Sequence, residues 1–159
     1  MNILKANFIN RIICFFSVSM LLFSACSKKY TIENLPKTQL HFGDGGGFMG
    51  KESDYIMLEN GQVFYKAAFD KSYQEVGKIK RKMAKDYFSQ VAAYQGLTIN
   101  KPHNQYSFIR LQKDTNQFNY IFSGAMKPDS LTTSLLKLHE QMLKAIPKTE
   151  TKERKMEMQ

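Results

Sequence analysis

The side chains able to do chemistry are few and scattered. Three histidines fall apart from one another, His41 in a candidate strand, His103 in a loop beside Pro102 and His139 in a candidate helix. None has a second histidine or a cysteine at ligand spacing, so no metal and no cofactor is expected. The acids Asp44, Glu52, Asp54 and Glu59 crowd around a glycine-rich stretch. Two carboxylates held close could do general acid-base work there, although the polar ends of strands carry acids for purely structural reasons. No serine stands in a nucleophile-elbow context, and no catalytic constellation emerges. The remaining reactive groups are the thiols of Cys14 and Cys26.

Cys26 is set up for modification by what precedes it. Lys5 and Arg11 are followed by a run of apolar residues, and small Ser24 and Ala25 stand directly before Cys26, the layout of a cleavable export signal. A membrane span needs about 20 apolar residues, more than residues 12–26 (IICFFSVSMLLFSAC) supply. Leu22-Phe23-Ser24-Ala25-Cys26 resembles the lipobox of bacterial lipoproteins, with Phe23 where Leu or Val is commoner. That resemblance implies cleavage before Cys26, acylation of its sulfur by chains such as palmitate, and membrane attachment through lipid. Lipoproteins of Bacteroidota that are passed to the cell exterior carry acids just after the cysteine; Ser27-Lys28-Lys29 implies the periplasmic side, and Ser27 in place of Asp implies the outer membrane.

The expected organisation is a signal peptide over residues 1–25, a lipidated tether over 26–38, a single α+β domain over 39–147 and a disordered charged tail over 148–159. Residues 26–159 are 134 in number, enough for one domain and one core. With Cys14 removed and Cys26 acylated no disulfide can form, so packing must hold the fold. The chain is formally +9, and loss of Lys5 and Arg11 leaves +7. On a tethered, exported protein such an excess suits anionic headgroups, a polysaccharide or a merely solvated surface better than nucleic acid. Residues 31–38 are polar, contain Pro36 and show no apolar period, which reads as an extended tether.

Residues 39–42 (QLHF) are a short strand candidate running into Gly43-Asp44-Gly45-Gly46-Gly47-Phe48-Met49-Gly50. The glycine spacing and the Lys51-Glu52 that follows match neither a phosphate-binding loop nor a dinucleotide fingerprint. The structural expectation is a wide or bulged connection with Phe48 and Met49 folded back on the sheet. The functional one is a loop offering Gly45, Gly46, Gly47, Phe48 and Met49 to a partner. Asn60-Gly61 between two apolar runs predicts a two-residue hairpin turn pairing Met57 with Phe64 and Ile56 with Tyr65, which places Ile56, Leu58, Val63 and Tyr65 in the core. The other apolar face would then be covered by the glycine loop or by a partner.

After a short strand candidate at residues 76–79, Ile79, Met83, Tyr87 and Val91 recur at four-residue spacing with Ala84, Phe88 and Ala92 one step round, which makes residues 80–95 an amphipathic helix stopped by Gly96. Lys78, Lys80, Arg81, Lys82 and Lys85 cluster at its first turns, a candidate anion-contacting patch whose alternative is a solvated face. A loop over 97–105, a second hairpin from 106–111 and 118–122, and a helix over 131–146 capped by Asp129 or Ser130, with Leu131, Leu135, Leu138 and Met142 as its seam and Leu136, Leu143 and Ile146 widening it, complete the chain. The fold class is therefore α+β, an antiparallel sheet of four to six strands built from two hairpins and packed against two amphipathic helices.

From Gln39 onward this order of elements resembles uncharacterised small lipoproteins of Bacteroidota, a resemblance that carries no activity. Gly45-Gly46-Gly47-Phe48-Met49-Gly50 is similar to the Gly-Gly-Phe-Ala-Gly segment of emfourin-type inhibitors of thermolysin-like metallopeptidases. The functional expectation is a lipid-anchored, non-catalytic binding or assembly module of the cell envelope, whose partners are the membrane and an envelope protein. The alternative, implied by the second resemblance, is a proteinaceous peptidase inhibitor.

Overall fold

A computed structural model of the protein describes residues 28–48, 50–123 and 129–147. Cys26 with its leader, Met49 and the charged tail over 148–159 lie outside the described residues. A 310 turn (Ile32–Asn34) precedes β1 (Gln39–Gly46), β2 (Lys51–Met57), β3 (Gln62–Lys66) and β4 (Gln74–Lys78). Helix α1 (Arg81–Ala92) follows, then β5 (Ile99–Asn100), β6 (Gln105–Lys113), β7 (Asn116–Phe122) and helix α2 (Ser130–Ala145).

The architecture is α+β, with one sheet in the order β4-β3-β2-β1-β6-β7-β5. It has seven strands where four to six were expected, and it is mixed, because β5 pairs parallel with β7. The unforeseen strand is two residues long, too short to show an alternation, and lies where a loop was expected. β1 is central, flanked by β2 and β6 along its whole length. That double pairing carries the strand four residues past Phe42, through glycines with no strand propensity of their own.

Helices α1 and α2 lie on one face of the sheet over Leu40, Phe42, Met57, Val63, Ile109, Leu111, Tyr120 and Phe122. In α1 the buried side chains are Ala84, Tyr87, Phe88 and Val91, at the i, i+3, i+4, i+7 positions of one helical stripe. Met83, expected in the core, is exposed, since a strict four-residue repeat drifts about 40° per turn away from the buried face. In α2 the buried set is Thr132, Leu135, Leu138, His139 and Met142. Asp129 caps α2 by accepting from the Thr132 amide at 2.7 Å, and Lys101 Nζ lies 2.6 Å from its other oxygen. These bonds, the one from Lys101 first, hold the Asp129 carboxyl below the ordinary carboxylate range.

The β2–β3 hairpin is one residue out of the expected register. Met57 pairs with Val63, Ile56 with Phe64 and Tyr55 with Tyr65. The Leu58 amide donates to the Gln62 carbonyl at 2.9 Å and Gly61 takes a φ of 92°, so the loop has three residues, a type I turn closed by a glycine bulge. A one-residue slip exchanges faces. Met57 and Val63 therefore face the helices, while Ile56, Leu58 and Phe64 form a second apolar cluster on the other side.

The glycine stretch does not cover that cluster. Tyr30, Ile32 and Leu35, from the stretch read as a free tether, pack on it together with Tyr73. Buried Gln62 fastens this segment: its side-chain carbonyl accepts from the Tyr30 amide at 2.8 Å and its NH2 donates to the Tyr30 carbonyl at 3.1 Å. Three apolar side chains spaced irregularly carry no period, which is why a pattern search passes over them.

Candidate functional site

Glycines at alternate positions of β1 shape the side of the sheet away from the helices. Gly45 stands opposite Glu52 on β2 and Tyr106 on β6, and a Cβ on Gly45 would lie 2.8 Å from atoms of both. The space left by the absent side chain lets the flanking residues meet across β1: Tyr106 donates to Glu52 Oε1 at 2.9 Å, and Arg110 Nη2 lies 2.7 Å from each Glu52 oxygen. Burial, and then this bond to Glu52, push the Tyr106 phenol up. Gly43 does the same for Phe108, which leans into its place and is fully buried, with the Arg110 guanidinium 4.0 Å above the ring.

Beside this lies a second polar group. Asp54, 6% exposed, has Oδ2 within 3.0 Å of His41 Nδ1 and accepts from Tyr73 Oη at 2.5 Å. The other imidazole nitrogen is 3.1 Å from Gln39 Oε1, and Gln39 uses its NH2 on the Pro36 carbonyl. Both ring nitrogens thus lie against side-chain oxygens. Burial, and then the bond to Asp54, push the Tyr73 phenol well above its ordinary range, so it remains a donor.

On the helix side of the same end of the sheet is a cleft of about 500 Å³ lined by Asp44, Gly45, Gly46, Lys51, Ser53, Ala68, Gln105, Tyr106, Ser107 and Ser123. Ser107 Oγ donates to Asp44 Oδ1 at 2.7 Å, and His139 Nε2 is 3.8 Å from that oxygen and 3.1 Å from the Gly43 carbonyl. Serine, aspartate and histidine are thus together in the wrong order for nucleophilic catalysis. The hydroxyl gives its proton to the carboxylate's side, and Nε2 is a donor to backbone instead of a base facing the serine.

His139 is held edge-on between Phe42 and Phe122. Burial pushes its pKa down from 6.5, against a smaller upward pull from Asp44 and the Gly43 bond. The unfolded chain therefore takes up this proton at higher pH than the fold does, and stability fully present above 6.5 declines as pH falls below it. Urea midpoints measured at about pH 7.5 and about pH 5.5 should fall for the wild type and fall less for His139→Gln. Equal falls in both chains would assign the acid sensitivity elsewhere.

The carboxylates that sequence proximity gathers are thus separated. Asp44 faces the helices, Glu52 and Asp54 lie on the opposite face with their own partners, and Glu59 is exposed in the β2–β3 loop at the other end of the sheet. Of the candidate contact residues, Gly45 and Gly46 belong to β1 and line the cleft, and Gly47 and Phe48 form the β1–β2 tip. Phe48 does not fold back on the sheet; it is 103% exposed. Gly46 and Gly47, with φ of 98° and 69°, turn the chain outward, and the Gly47 amide is tied to the Asn104 carbonyl at 2.5 Å. Lys78, Lys80, Arg81, Lys82 and Lys85 are all exposed at the opposite end of the sheet, where Lys78 pairs with Gln62. Arg110, Tyr106 and Tyr73 reach the polar clusters from 58, 54 and 19 residues away, with alternation of Gly43 and Gly45 as the one local sign of them.

The chain matches no protein-family model, and no curated protein is significantly similar to it. Among the described residues no helix is long and apolar enough to cross a membrane, and no three of His, Cys, Asp and Glu converge to hold a metal ion.

Proposed function

We propose that the protein is a lipid-anchored, non-catalytic binding module of the cell envelope, held to the periplasmic face of the outer membrane through Cys26 and contacting an envelope protein with its β1–β2 tip. The exposed ring of Phe48 carries this reading. A tip fixed by backbone hydrogen bonds presents a large apolar side chain to water, and aromatic anchors of that kind contribute most of the energy at interfaces once buried. Phe69 supports it: 68% exposed, with Lys51 Nζ 4.6 Å from its ring centre, it adjoins Ala68 and Lys51 of the cleft wall. The partner would bury both rings around a polar cleft.

Affinity capture from detergent-solubilised envelope tests the reading. Wild-type protein should recover a reproducible partner, and Phe48→Ala should retain about a tenth of it or less. Equal recovery by the two chains would remove the tip as the contact. Conversion of Cys26 to Ser should move the protein from the membrane to the soluble fraction, and unchanged partitioning would remove the anchor.

Peptidase inhibition is the second reading. A narrow tip bearing one projecting aromatic side chain has the shape needed to enter an enzyme cleft. Inhibition of thermolysin-like enzymes by the wild type and its loss in Phe48→Ala would favour it over an assembly role.

A further inference from the structure

The point where the chain emerges from the domain coincides with its basic end. The Lys28 carbonyl accepts from Asn60 Nδ2 at 2.7 Å, Tyr30 is tied to Gln62, and Lys29 Nζ lies 3.4 Å from Glu75. All three attachment points belong to the β2–β3 loop and the adjoining β3–β4 pair. Gln62 pairs with Lys78, and the Ile79 amide donates to the Gly61 carbonyl, so Lys78, Lys80 and the first turn of α1 flank the same corner. Seven cations, Lys28, Lys29, Lys78, Lys80, Arg81, Lys82 and Lys85, are exposed here. Among acids, Glu75 is engaged by Lys29 and Gln62, Glu59 lies in the loop and Asp86 accepts from Gln90.

The opposite end carries Phe48. In β1, Leu40 pairs with Met57 next to the β2–β3 loop, and Gly46 pairs with Lys51 next to the tip. Eight residues of strand separate the two ends by about 26 Å.

Between Lys28 and Cys26 stands Ser27 alone, so the two Cα atoms are at most about 7 Å apart. A segment that is docked from Lys28 onward cannot serve as a long free tether. From these facts we propose that the basic corner is a membrane-facing surface, seated on the anionic headgroups of the bilayer that holds the acyl chains of Cys26, and that it stands the sheet upright with the Phe48 tip facing away from the membrane. This rests on the lipid anchor proposed above. Charge complementarity selects anionic lipid, and the short connection confines the corner to within about one Debye length of the headgroups, where their field is felt.

Once Cys26 is acylated, the chain from residue 26 on has no other thiol, so single labels are clean. Acylated protein carrying a fluorophore on Glu59→Cys or on Phe48→Cys is reconstituted in vesicles containing phosphatidylglycerol and headgroup-quencher lipid. Quenching should be severalfold stronger at position 59 than at position 48. High salt, vesicles of phosphatidylcholine alone, or combined Lys80→Glu, Arg81→Glu, Lys82→Glu and Lys85→Glu should each shrink that difference. Equal quenching at the two positions, or a difference indifferent to salt and to charge reversal, overturns the proposal while leaving the anchor intact. Mass spectrometry of the N-terminal peptide separates the two ideas, since absence of acyl chains would defeat the anchor and the orientation together.

Discussion

Gly43→Ala is expected to destabilise the protein by about 3 kcal/mol, the upper part of the range for overpacking and a large share of a typical domain's 5–15 kcal/mol. The added Cβ would overlap the Ser53 carbonyl oxygen and sit 3.0 Å from its carbon and 3.1 Å from Phe108 Cζ. The first obstacle is backbone within the β1–β2 ladder, which cannot rotate aside as a side chain could. Relief would have to part the central strands or lift Phe108, and with it the Arg110 guanidinium stacked on its ring. Gly47→Ala is the control. Its φ of 69° makes an L side chain unfavourable by about 1–2 kcal/mol, but a Cβ there meets nothing within 4 Å. Urea denaturation should rank Gly43→Ala as the costlier change. The reverse order would mean that β1 and β2 are not as close as described.

Asp54→Ala is expected to cost about 3 kcal/mol, because it removes the acceptor that two hydrogen bonds share at a buried position. It would strip the acceptor from His41 Nδ1, 18% exposed in its side chain, and from the Tyr73 hydroxyl. The effect is separable by a cycle. Tyr73→Phe alone should cost about 1 kcal/mol for the lost hydrogen bond, but in the Asp54→Ala background the hydroxyl has nothing to donate to and its removal should be near neutral. A coupling energy indistinguishable from zero would show that Tyr73 packs over Asp54 without a functional bond. Because Tyr73 also packs on the cluster of Ile56, Leu58 and Phe64, this loop links the buried carboxylate to the apolar side of the sheet.

Where periodicity is sustained the sequence was legible. The α1 stripe of Tyr87, Phe88 and Val91 and the α2 seam of Leu135, Leu138 and Met142 are buried as their spacing requires. Asp129 caps α2 as its position before the helix suggests. The second hairpin forms over its expected strands, its turn closed by Asp114 at a φ of 54°. Local pattern is ambiguous where one residue decides between near-equal alternatives. Asn-Gly is compatible with a two-residue turn and with a three-residue loop ending in a left-handed glycine, and the choice moves Ile56 and Leu58 off the face shared with Val63 and brings Met57 onto it. Glycine-rich residues 43–46 have the local propensity of a loop, whereas their strand is imposed by neighbours on both sides.

Local chemistry in the sequence determined the class of the fold, its helices, the glycine-bearing tip and the lipobox expectation for Cys26, because each depends on residues within a few positions of one another. Tertiary structure alone decided that Tyr30, Ile32 and Leu35 dock on the sheet, that Glu52 and Arg110 meet over Gly45, and that the basic corner and Phe48 occupy opposite ends. Those outcomes follow from strand order and register, which bring together residues as distant as Glu52 and Arg110, 58 apart, and are themselves set by the burial of both faces at once.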